Sequence, residues 1–274
     1  MTVAFVAAVA LIGLVAGSYA TMLVHRAPVD TPLLAAPVCP ECGTALAARD
    51  LVPLVSRARL DRRCRHCGRD ISRRYPLIEI TTAVLMAGLA ARFGPTWEVV
   101  PLLISVPVLV AVTAIDIDTY RIPNRLVFPS LAVGAIAVAV CGQLMGELDR
   151  LVGAGIGALL FSGLLFIPHL IMPAGMGFGD VKFALFLGLE LGWLDAALPL
   201  PALVISTLLA AVIGITLQLM GRIKAPPQPD GTEGEPQPKP RLGRTKIPFG
   251  PFLAGGTYLA YLVHETAIDW WLGT

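Results

Sequence analysis

Residues 99–118 read VVPLLISVPVLVAVTAIDID, a run of uncharged residues that ends abruptly in two carboxylates, Asp116 and Asp118. The apolar part approaches the roughly 20 residues that an α-helix needs to cross a membrane. Asp is costly inside a bilayer, and where it occurs there it is usually functional. The stretch therefore predicts a membrane helix with a polar site at one end.

The composition of the whole chain agrees with this interpretation. The chain has 274 residues, of which 55% are hydrophobic and 15% charged, and its mean hydropathy is +0.73. A soluble domain carries about a quarter charged residues. We therefore predict an all-α polytopic membrane protein in contact with membrane lipid, and no nucleic-acid partner. Nothing in the composition indicates an oligomeric state.

The apolar runs predict about eight transmembrane helices. They lie at 2–24, 77–93, 99–115, 126–142, 150–172, 183–193, 198–221 and 249–268. The run at 183–193 is short for a span, so its helix is expected to begin earlier, near Asp180, or to be tilted or broken. Residues 1–24 have no basic segment before the apolar run and no evident cleavage site after it, which predicts a retained first helix.

Basic residues are concentrated in alternate loops. The loops at 25–76, 116–125, 173–182 and 222–248 hold 19 of the 21 Lys and Arg residues. The positive-inside rule therefore predicts that these loops are cytoplasmic and that both termini are outside. The Pro-rich stretch 225–240 is predicted to be an extended or disordered connector.

Four cysteines form two CxxC pairs in the first predicted cytoplasmic loop. They are Cys39 and Cys42 in CPEC, and Cys64 and Cys67 in CRHC, with 21 residues between the pairs. Two such turns can close a tetrahedral thiolate site, and a loop too short for a large core gains folding energy from a metal. We predict a small domain with structural Zn²⁺, which thiolates bind in preference to harder ions.

Other roles for these cysteines remain open. The four thiols could form two disulfides, although a cytoplasmic location disfavours them. His66, inside the second CxxC pair, could replace one ligand. Cys141 is alone in an apolar run and is interpreted as a packing residue.

A second acidic motif follows the fifth apolar run, where GMGFGDVKF occupies residues 175–183. Gly177 and Gly179 remove side chains beside Asp180, so that an extended peptide backbone could approach it closely. The topology puts this carboxylate and those of Asp116 and Asp118 at the same cytoplasmic face. Two carboxylates at short separation share a proton, and one can then activate water while the other donates to a peptide carbonyl.

Two points about these aspartates stay open on the sequence alone. Asp180 could be no more than a cap of the helix that follows. Spacing does not choose between Asp116 and Asp118, because one helix turn can present either.

The motifs taken in order resemble the prepilin peptidases, the type IV leader peptidase family of GxGD membrane aspartyl proteases. They are GSYATMLVHRAP (17–28), the paired CxxC turns, SRRYPLIE (72–79), IDIDTYRIPN (115–124), GMGFGDVK (175–182) and IPFGPFLAGG (247–256). The chain departs from the family pattern at Thr21, at Met22 and at Asn124, which replaces an Asp.

The resemblance implies roles for individual residues. The first family aspartate falls on Asp116 and the second on Asp180. Lys182 either tunes this pair or only marks the membrane boundary. Glu79 either supports the site or pairs with an arginine.

The resemblance also implies an activity. The chain is expected to be a membrane-embedded aspartyl endopeptidase of the bacterial inner membrane, which removes the basic leader from prepilin or pseudopilin substrates at the cytoplasmic face. The resemblance also implies a second activity, N-methylation of the new amino terminus with S-adenosylmethionine. No glycine-rich nucleotide-binding loop is visible for that cofactor, and no cofactor-binding residue can be assigned.

The predicted organisation has three parts. Residues 1–24 form the first transmembrane helix, and residues 25–76 form the cytoplasmic zinc-binding loop. Residues 77–274 form the membrane-embedded protease core, with its Pro-rich cytoplasmic loop at about 222–248.

Three other functions compete with the protease. One is a non-catalytic, zinc-anchored assembly factor of a pilus or secretion system, for which the cysteines would matter and the aspartates would not. Another is a small transporter that relays protons through its carboxylates, which would favour carboxylates nearer mid-membrane. The last is a GxGD protease that cuts signal peptides or other membrane helices, for which the cysteine loop has no evident use.

Overall fold

The computed structural model describes residues 2–29, 32–33, 38–39, 42–45, 63–70, 72–172, 176–220 and 248–264, and these contain eight α-helices. The helices are α1 (Thr2–Arg26), α2 (Arg74–Phe93), α3 (Val99–Thr119), α4 (Asn124–Met145), α5 (Asp149–Ile171), α6 (Phe178–Leu194), α7 (Pro199–Leu219) and α8 (Gly250–Leu262). Each coincides with one predicted apolar run. The all-α fold and the eight helices are therefore confirmed, with their ends shifted by a few residues.

Six of these helices are long and apolar enough to cross a membrane by length and composition. The exceptions are α6, with 17 residues, and α8, with 13. The short predicted run at 183–193 does begin earlier, as expected, because α6 starts at Phe178. The predicted connector at 225–240 lies outside the described residues.

Two helices occupy the interior of the bundle. Helix α6 packs against α5 along its length and also touches α3, α4, α7 and α8. Helix α3 contacts α1, α2, α4 and α8. Buried residues occur on every side of α6, so its polar groups face protein and not lipid. This central position explains how a helix shorter than a membrane span can hold functional groups at its ends.

The contact between α5 and α6 depends on small residues. Gly153 and Gly157 of α5 lie against Gly188 and Gly192 of α6, and a Cβ built on Gly157 would lie 2.5 Å from the Gly188 carbonyl oxygen and 2.7 Å from the Gly192 Cα. Both helices therefore present glycines four residues apart, which lets their backbones touch as membrane helices commonly do.

We expect Gly157→Ala to destabilise the bundle by about 2 kcal/mol, because the added methyl group meets backbone that cannot rotate away. The midpoint of thermal unfolding in detergent should fall by several degrees. Gly155→Ala is the matched control, because a Cβ at this position of the same helix meets no atom within 4 Å. Equal melting temperatures for the two variants would contradict the close backbone contact.

The bundle carries large apolar side chains on its outer surface. Leu11, Ile136, Leu159 and Val212, on four different helices, have more than half of their surface exposed. In a soluble protein such a surface would drive association, whereas in a membrane protein it faces hydrocarbon.

Candidate active site and cysteine cluster

The first aspartate motif spans the end of α3. The helix ends at Thr119, so Asp116 lies in its last turn. It ends there because Tyr120 adopts a left-handed conformation (φ 53°) and its N–H group donates to the Asp116 carbonyl oxygen at 2.9 Å. A left-handed conformation costs about 1–2 kcal/mol for a residue with a Cβ atom, so the surrounding packing must hold this turn. Pro123, in extended conformation, then starts α4.

The second motif forms the start of α6. Gly177 is extended, with φ −70° and ψ 139°, and Asp180 is the third residue of the helix. A Cβ on Gly177 would lie 3.3 Å from Asp180 Oδ2, and a Cβ on Gly179 would lie 3.1 Å from the Ile122 Cβ. Gly179 therefore lets the second motif pack against the turn of the first. Close approach of a substrate backbone at the same glycines stays a prediction.

The two motifs bring Asp116 and Asp180 together in a buried site. Their residues are 4% and 9% exposed, and Gly179, next to Asp180, packs against Ile122 in the turn that follows Asp116. The Gly250 N–H group donates to Asp116 Oδ2 at 2.9 Å. Asp116 is thus held at the N-terminus of α8, and Asp180 lies in the first turn of α6, so both carboxyl groups meet the positive end of a helix dipole.

Asp118 has a different environment. Its carboxylate accepts two hydrogen bonds from the Arg74 guanidinium, at 2.7 and 2.8 Å, on the exposed side of α3. Such a bidentate pair fixes both side chains. The geometry therefore associates Asp116 with Asp180 and leaves Asp118 engaged with α2.

Lys182 and Glu79, the two further predicted residues, lie near the site in different ways. The Lys182 ammonium donates to Asn124 Oδ1 at 3.0 Å and lies 4.6 Å from the centre of the Phe178 ring. It thus ties the start of α6 to the start of α4. Glu79 is buried on α2 where α1 comes close, since a Cβ on Gly17 would lie 2.6 Å from its Cα. Tuning of the aspartates by Lys182 and support by Glu79 stay predictions.

The four cysteines of the first loop form one cluster. Cys39, Cys42, Cys64 and Cys67 have their sulfur atoms within 4.8 Å of one another, and the Cys39 and Cys67 sulfurs are 4.0 Å apart. Four sulfurs around Zn²⁺ would be about 3.8 Å apart, given a Zn–S bond near 2.3 Å. All four are free thiols. The donor set and spacing fit a tetrahedral metal ion.

The two CxxC turns have the same backbone structure. The Gly43 N–H group donates to the Cys39 carbonyl at 2.9 Å, and Gly68 donates to Cys64 at the same distance. Both glycines have φ of 69°, in the left-handed region that glycine adopts without strain. An isolated antiparallel bridge closes each turn, Val38 with Ala45 and Arg63 with Asp70. The sequence glycines after each pair are therefore part of the turn.

Electrostatics within the cluster favour a cation. The hydrogen bond with the Thr44 hydroxyl lowers the pKa of Cys42 to about 6, and the backbone N–H of Cys67 lowers the pKa of Cys64. The pKa of Cys67 is instead raised to about 11, because desolvation and the neighbouring sulfurs outweigh the Arg69 N–H group. The thiols thus compete for negative charge, and a bound cation would remove that competition.

Gly250 is the site residue whose role sequence reasoning missed. The segment PFGP at 248–251 marks the start of the last helix. The hydrogen bond from the Gly250 N–H group to Asp116, however, joins residues 134 positions apart. No local sequence pattern predicts such a contact. Arg74 was likewise not identified as the partner of Asp118.

We expect Gly250→Ala to lower kcat for the peptidase reaction that the resemblance implies by about 100-fold, the effect that a displacement of about 1 Å can have. The added Cβ would lie 2.7 Å from Asp116 Oδ2 and would push that carboxylate out of place. Steady-state cleavage assays should show this loss with a little-changed KM. In Gly255→Ala, the control on the same helix, the new Cβ has ordinary contacts, its nearest neighbour being Leu209 Cδ1 at 3.7 Å. Equal kcat values in the two variants would argue against this arrangement.

Two family models match the chain. The Bacterial Peptidase A24 N-terminal domain matches residues 11–93, and the Type IV leader peptidase family matches residues 103–217. The first range includes the cysteine cluster, and the second includes both buried aspartates.

Three relatives share one name and are about one-third identical to this chain. A prepilin leader peptidase/N-methyltransferase of Aeromonas salmonicida is 32% identical, with 96% of this chain and 92% of the relative covered. Proteins of the same name from Pseudomonas aeruginosa and Myxococcus xanthus are 32% and 35% identical, with 94% and 82% of this chain and 90% and 66% of those relatives covered. No solved structure matches the chain significantly.

Proposed function

Because this chain belongs to the type IV leader peptidase family, we propose that it is the enzyme that removes the basic leader from prepilin-like proteins at the cytoplasmic face of the bacterial inner membrane. The observation that carries the proposal is the buried pair of Asp116 and Asp180, with Gly179 packed between their two motifs and Asp116 oriented by the Gly250 N–H group. It is a multi-pass membrane enzyme, an aspartic endopeptidase.

The reaction follows from two carboxyl groups that hold one proton between them. The ionised group accepts a proton from water, which attacks the carbonyl carbon of the scissile peptide. The protonated group donates to the carbonyl oxygen, giving a neutral tetrahedral intermediate. Collapse of this intermediate breaks the C–N bond as a proton passes to the leaving amine. No covalent enzyme intermediate forms.

The position of the aspartates suits a substrate that is itself a membrane helix. A prepilin has a short basic leader before an apolar helix, as the family resemblance implies, and positive charge keeps that leader in the cytoplasm. Asp116 and Asp180 lie at the ends of α3 and α6 that adjoin the basic loops. The cysteine loop is then cytoplasmic, both termini are outside, and lipid covers the apolar outer surface.

Zn²⁺ is the metal that fits the cysteine cluster best, because four thiolates at these separations match its preferred ligands and geometry. Cys39, Cys42, Cys64 and Cys67 would hold it, and it would supply folding energy to a loop with little core. It takes no part in peptide hydrolysis.

The relatives' name adds N-methyltransferase activity, which would require S-adenosylmethionine. A cavity of about 80 Å³ near the aspartate site is lined by Thr21, His25, Arg74, Tyr75 and Asp118, among others. Sites for molecules of this size occupy roughly 300 Å³ or more. This cavity does not fit the cofactor, and we assign no residue to methyl transfer.

The direct test is cleavage of a purified prepilin by the purified chain in detergent. Mass spectrometry should find the mature protein, cut after the last leader residue. Addition of S-adenosylmethionine then tests whether the mature protein also gains one methyl group. A prepilin whose leader residue at the cut is replaced by a bulky one serves as the control and should stay intact. A verified substrate left uncut would reject the peptidase, and cleavage without the methyl gain would reject the second activity alone.

A further inference from the structure

Glu190 is a carboxylic acid buried in the centre of the bundle, away from the aspartate site. It lies on α6, is 0% exposed, and neither carboxyl oxygen has a hydrogen-bond partner among the described residues. Burying a carboxyl group without a partner is costly, and in a membrane protein such a group is usually functional. The proposed reaction makes no use of it.

A second buried polar group faces it from another helix. Tyr261 of α8 is also 0% exposed, its hydroxyl has no well-formed hydrogen bond within the described part of the chain, and Glu190 acts on it electrostatically. The same hydroxyl lies beside Ser105 of α3. Two unsatisfied buried groups that influence each other across a helix interface are natural partners.

These residues form a second polar layer in the same three helices that build the aspartate site. Glu190 is 10 residues beyond Asp180 on α6, and Tyr261 is 11 residues beyond Gly250 on α8. On α3, Ser105 precedes Asp116 by 11 residues. At 1.5 Å per residue, each offset is about 15–17 Å along the helix axis. The three helices therefore meet at the aspartate site at one end, and each carries a polar group at a similar distance from that site along its axis.

The packing makes room for the Glu190 side chain. Gly134 of α4 faces the carboxyl group, and a Cβ there would lie 2.6 Å from Glu190 Oε1. Cys141, seven residues further along α4, also lies near Glu190. A space matched to a carboxyl group argues against an accidental polar residue.

We propose that Glu190 is a positioning residue for the proposed peptidase: the Tyr261 hydroxyl donates to the Glu190 carboxyl group through one buried water, and this link sets the register of α6 against α8. The inference rests on the proposed function, because the register matters only if Asp180 of α6 must meet the Asp116 carboxyl group that the N-terminus of α8 holds.

The reason for such a link lies in the packing of α6. Its contact with α5 combines close glycine backbone with a hydrogen bond from the Ser162 hydroxyl to the Val181 carbonyl oxygen at 3.0 Å. Apolar packing between α6 and α8 is, in contrast, not directional. A single buried polar contact can specify register where apolar contacts allow sliding. The proposed Glu190–Tyr261 link would supply such a directional contact between α6 and α8.

The test is a double-mutant cycle in the full-length protein with a prepilin substrate. Glu190→Leu and Tyr261→Phe should each lower kcat by about 10- to 100-fold with KM within about two-fold, because a displaced dyad loses rate and not substrate binding. The double variant should be no slower than the slower single variant. Glu190→Gln should recover kcat to within about three-fold of the wild type, because its amide oxygen can accept from Tyr261.

Tyr258→Phe is the matched control. Its hydroxyl lies on the same helix but donates to the Leu85 carbonyl at 2.9 Å, on the side of α2. Its effect should multiply with that of Glu190→Leu. Wild-type kcat in Tyr261→Phe, or effects of Glu190→Leu and Tyr261→Phe that multiply, would overturn the proposal even if Glu190→Leu fails to fold.

The same double-mutant cycle, measured by thermal unfolding without substrate, tests this inference independently of the proposed function. The melting temperatures of the same variants in detergent report the Glu190–Tyr261 contact whether or not the chain is a peptidase. Non-additive melting temperatures with no cleavage by the wild type would reject the proposed function and keep the contact. Additive melting temperatures together with additive kinetics would reject the contact.

Discussion

Asp116→Asn and Asp180→Asn are each expected to lower kcat for leader cleavage by at least about 1,000-fold, because either change removes a proton-transfer group from a pair that acts as a unit. The amide is close to isosteric with the carboxyl group, and in Asp116→Asn its oxygen can still accept the Gly250 hydrogen bond, which measures 2.9 Å in the wild type. Folding should therefore survive. Single-turnover cleavage of a prepilin, quantified by mass, measures the loss.

Asp118→Asn is the matched control. It changes an aspartate two residues away on the same helix, whose carboxylate is engaged by Arg74 on the exposed side. An exposed ion pair contributes about 0–1 kcal/mol, so we expect kcat within about five-fold of the wild type. A large loss in Asp118→Asn with normal activity in Asp116→Asn would transfer the catalytic role to the other aspartate.

The same experiment separates the competing functions. A zinc-anchored assembly factor needs neither Asp116 nor Asp180, and a proton-relaying transporter would favour carboxylates nearer mid-membrane. Equal cleavage by the wild type and both Asn variants would mean that the GxGD motif has a structural role here. The assembly factor would then be the better interpretation.

Cys42→Ser and Cys64→Ser are each expected to reduce bound zinc from about one ion per chain to less than about a tenth of that, because a structural site needs all four ligands. The loop should then become sensitive to trypsin, since residues 25–76 contain ten arginines. Metal analysis and timed proteolysis of the purified protein measure both effects. A chelator acting on the wild type should reproduce the proteolysis.

Cys141→Ala is the control for the cysteine variants. Cys141 is buried on α4 and is not a member of the sulfur cluster. Its replacement should leave the metal content unchanged, with at most a modest loss of stability from the small cavity. Wild-type protein without zinc, or a full metal content in Cys42→Ser, would contradict the four-cysteine site.

The sequence was enough to predict the helices, the cysteine cluster and the family. Hydropathy is a property of consecutive residues, so runs such as 99–115 predict helices without knowledge of their neighbours. The two CxxC turns and Gly43 and Gly68 are also local, and the structure confirms that the four cysteines cluster. Motif order indicated the family, and the comparisons confirm it. Sidedness and the roles of single residues stay predictions.

Contacts between distant segments were decided only by the tertiary structure. Whether Asp116 or Asp118 approaches Asp180 depends on the rotation of α3 relative to α2, because Arg74 engages the one that faces it. The hydrogen bond from Gly250 to Asp116 depends on how α8 packs against α3, and the proposed link between Glu190 and Tyr261 depends on how α6 packs against α8. A sequence records each helix's own periodicity, but the register between helices is fixed by side chains that meet only after folding.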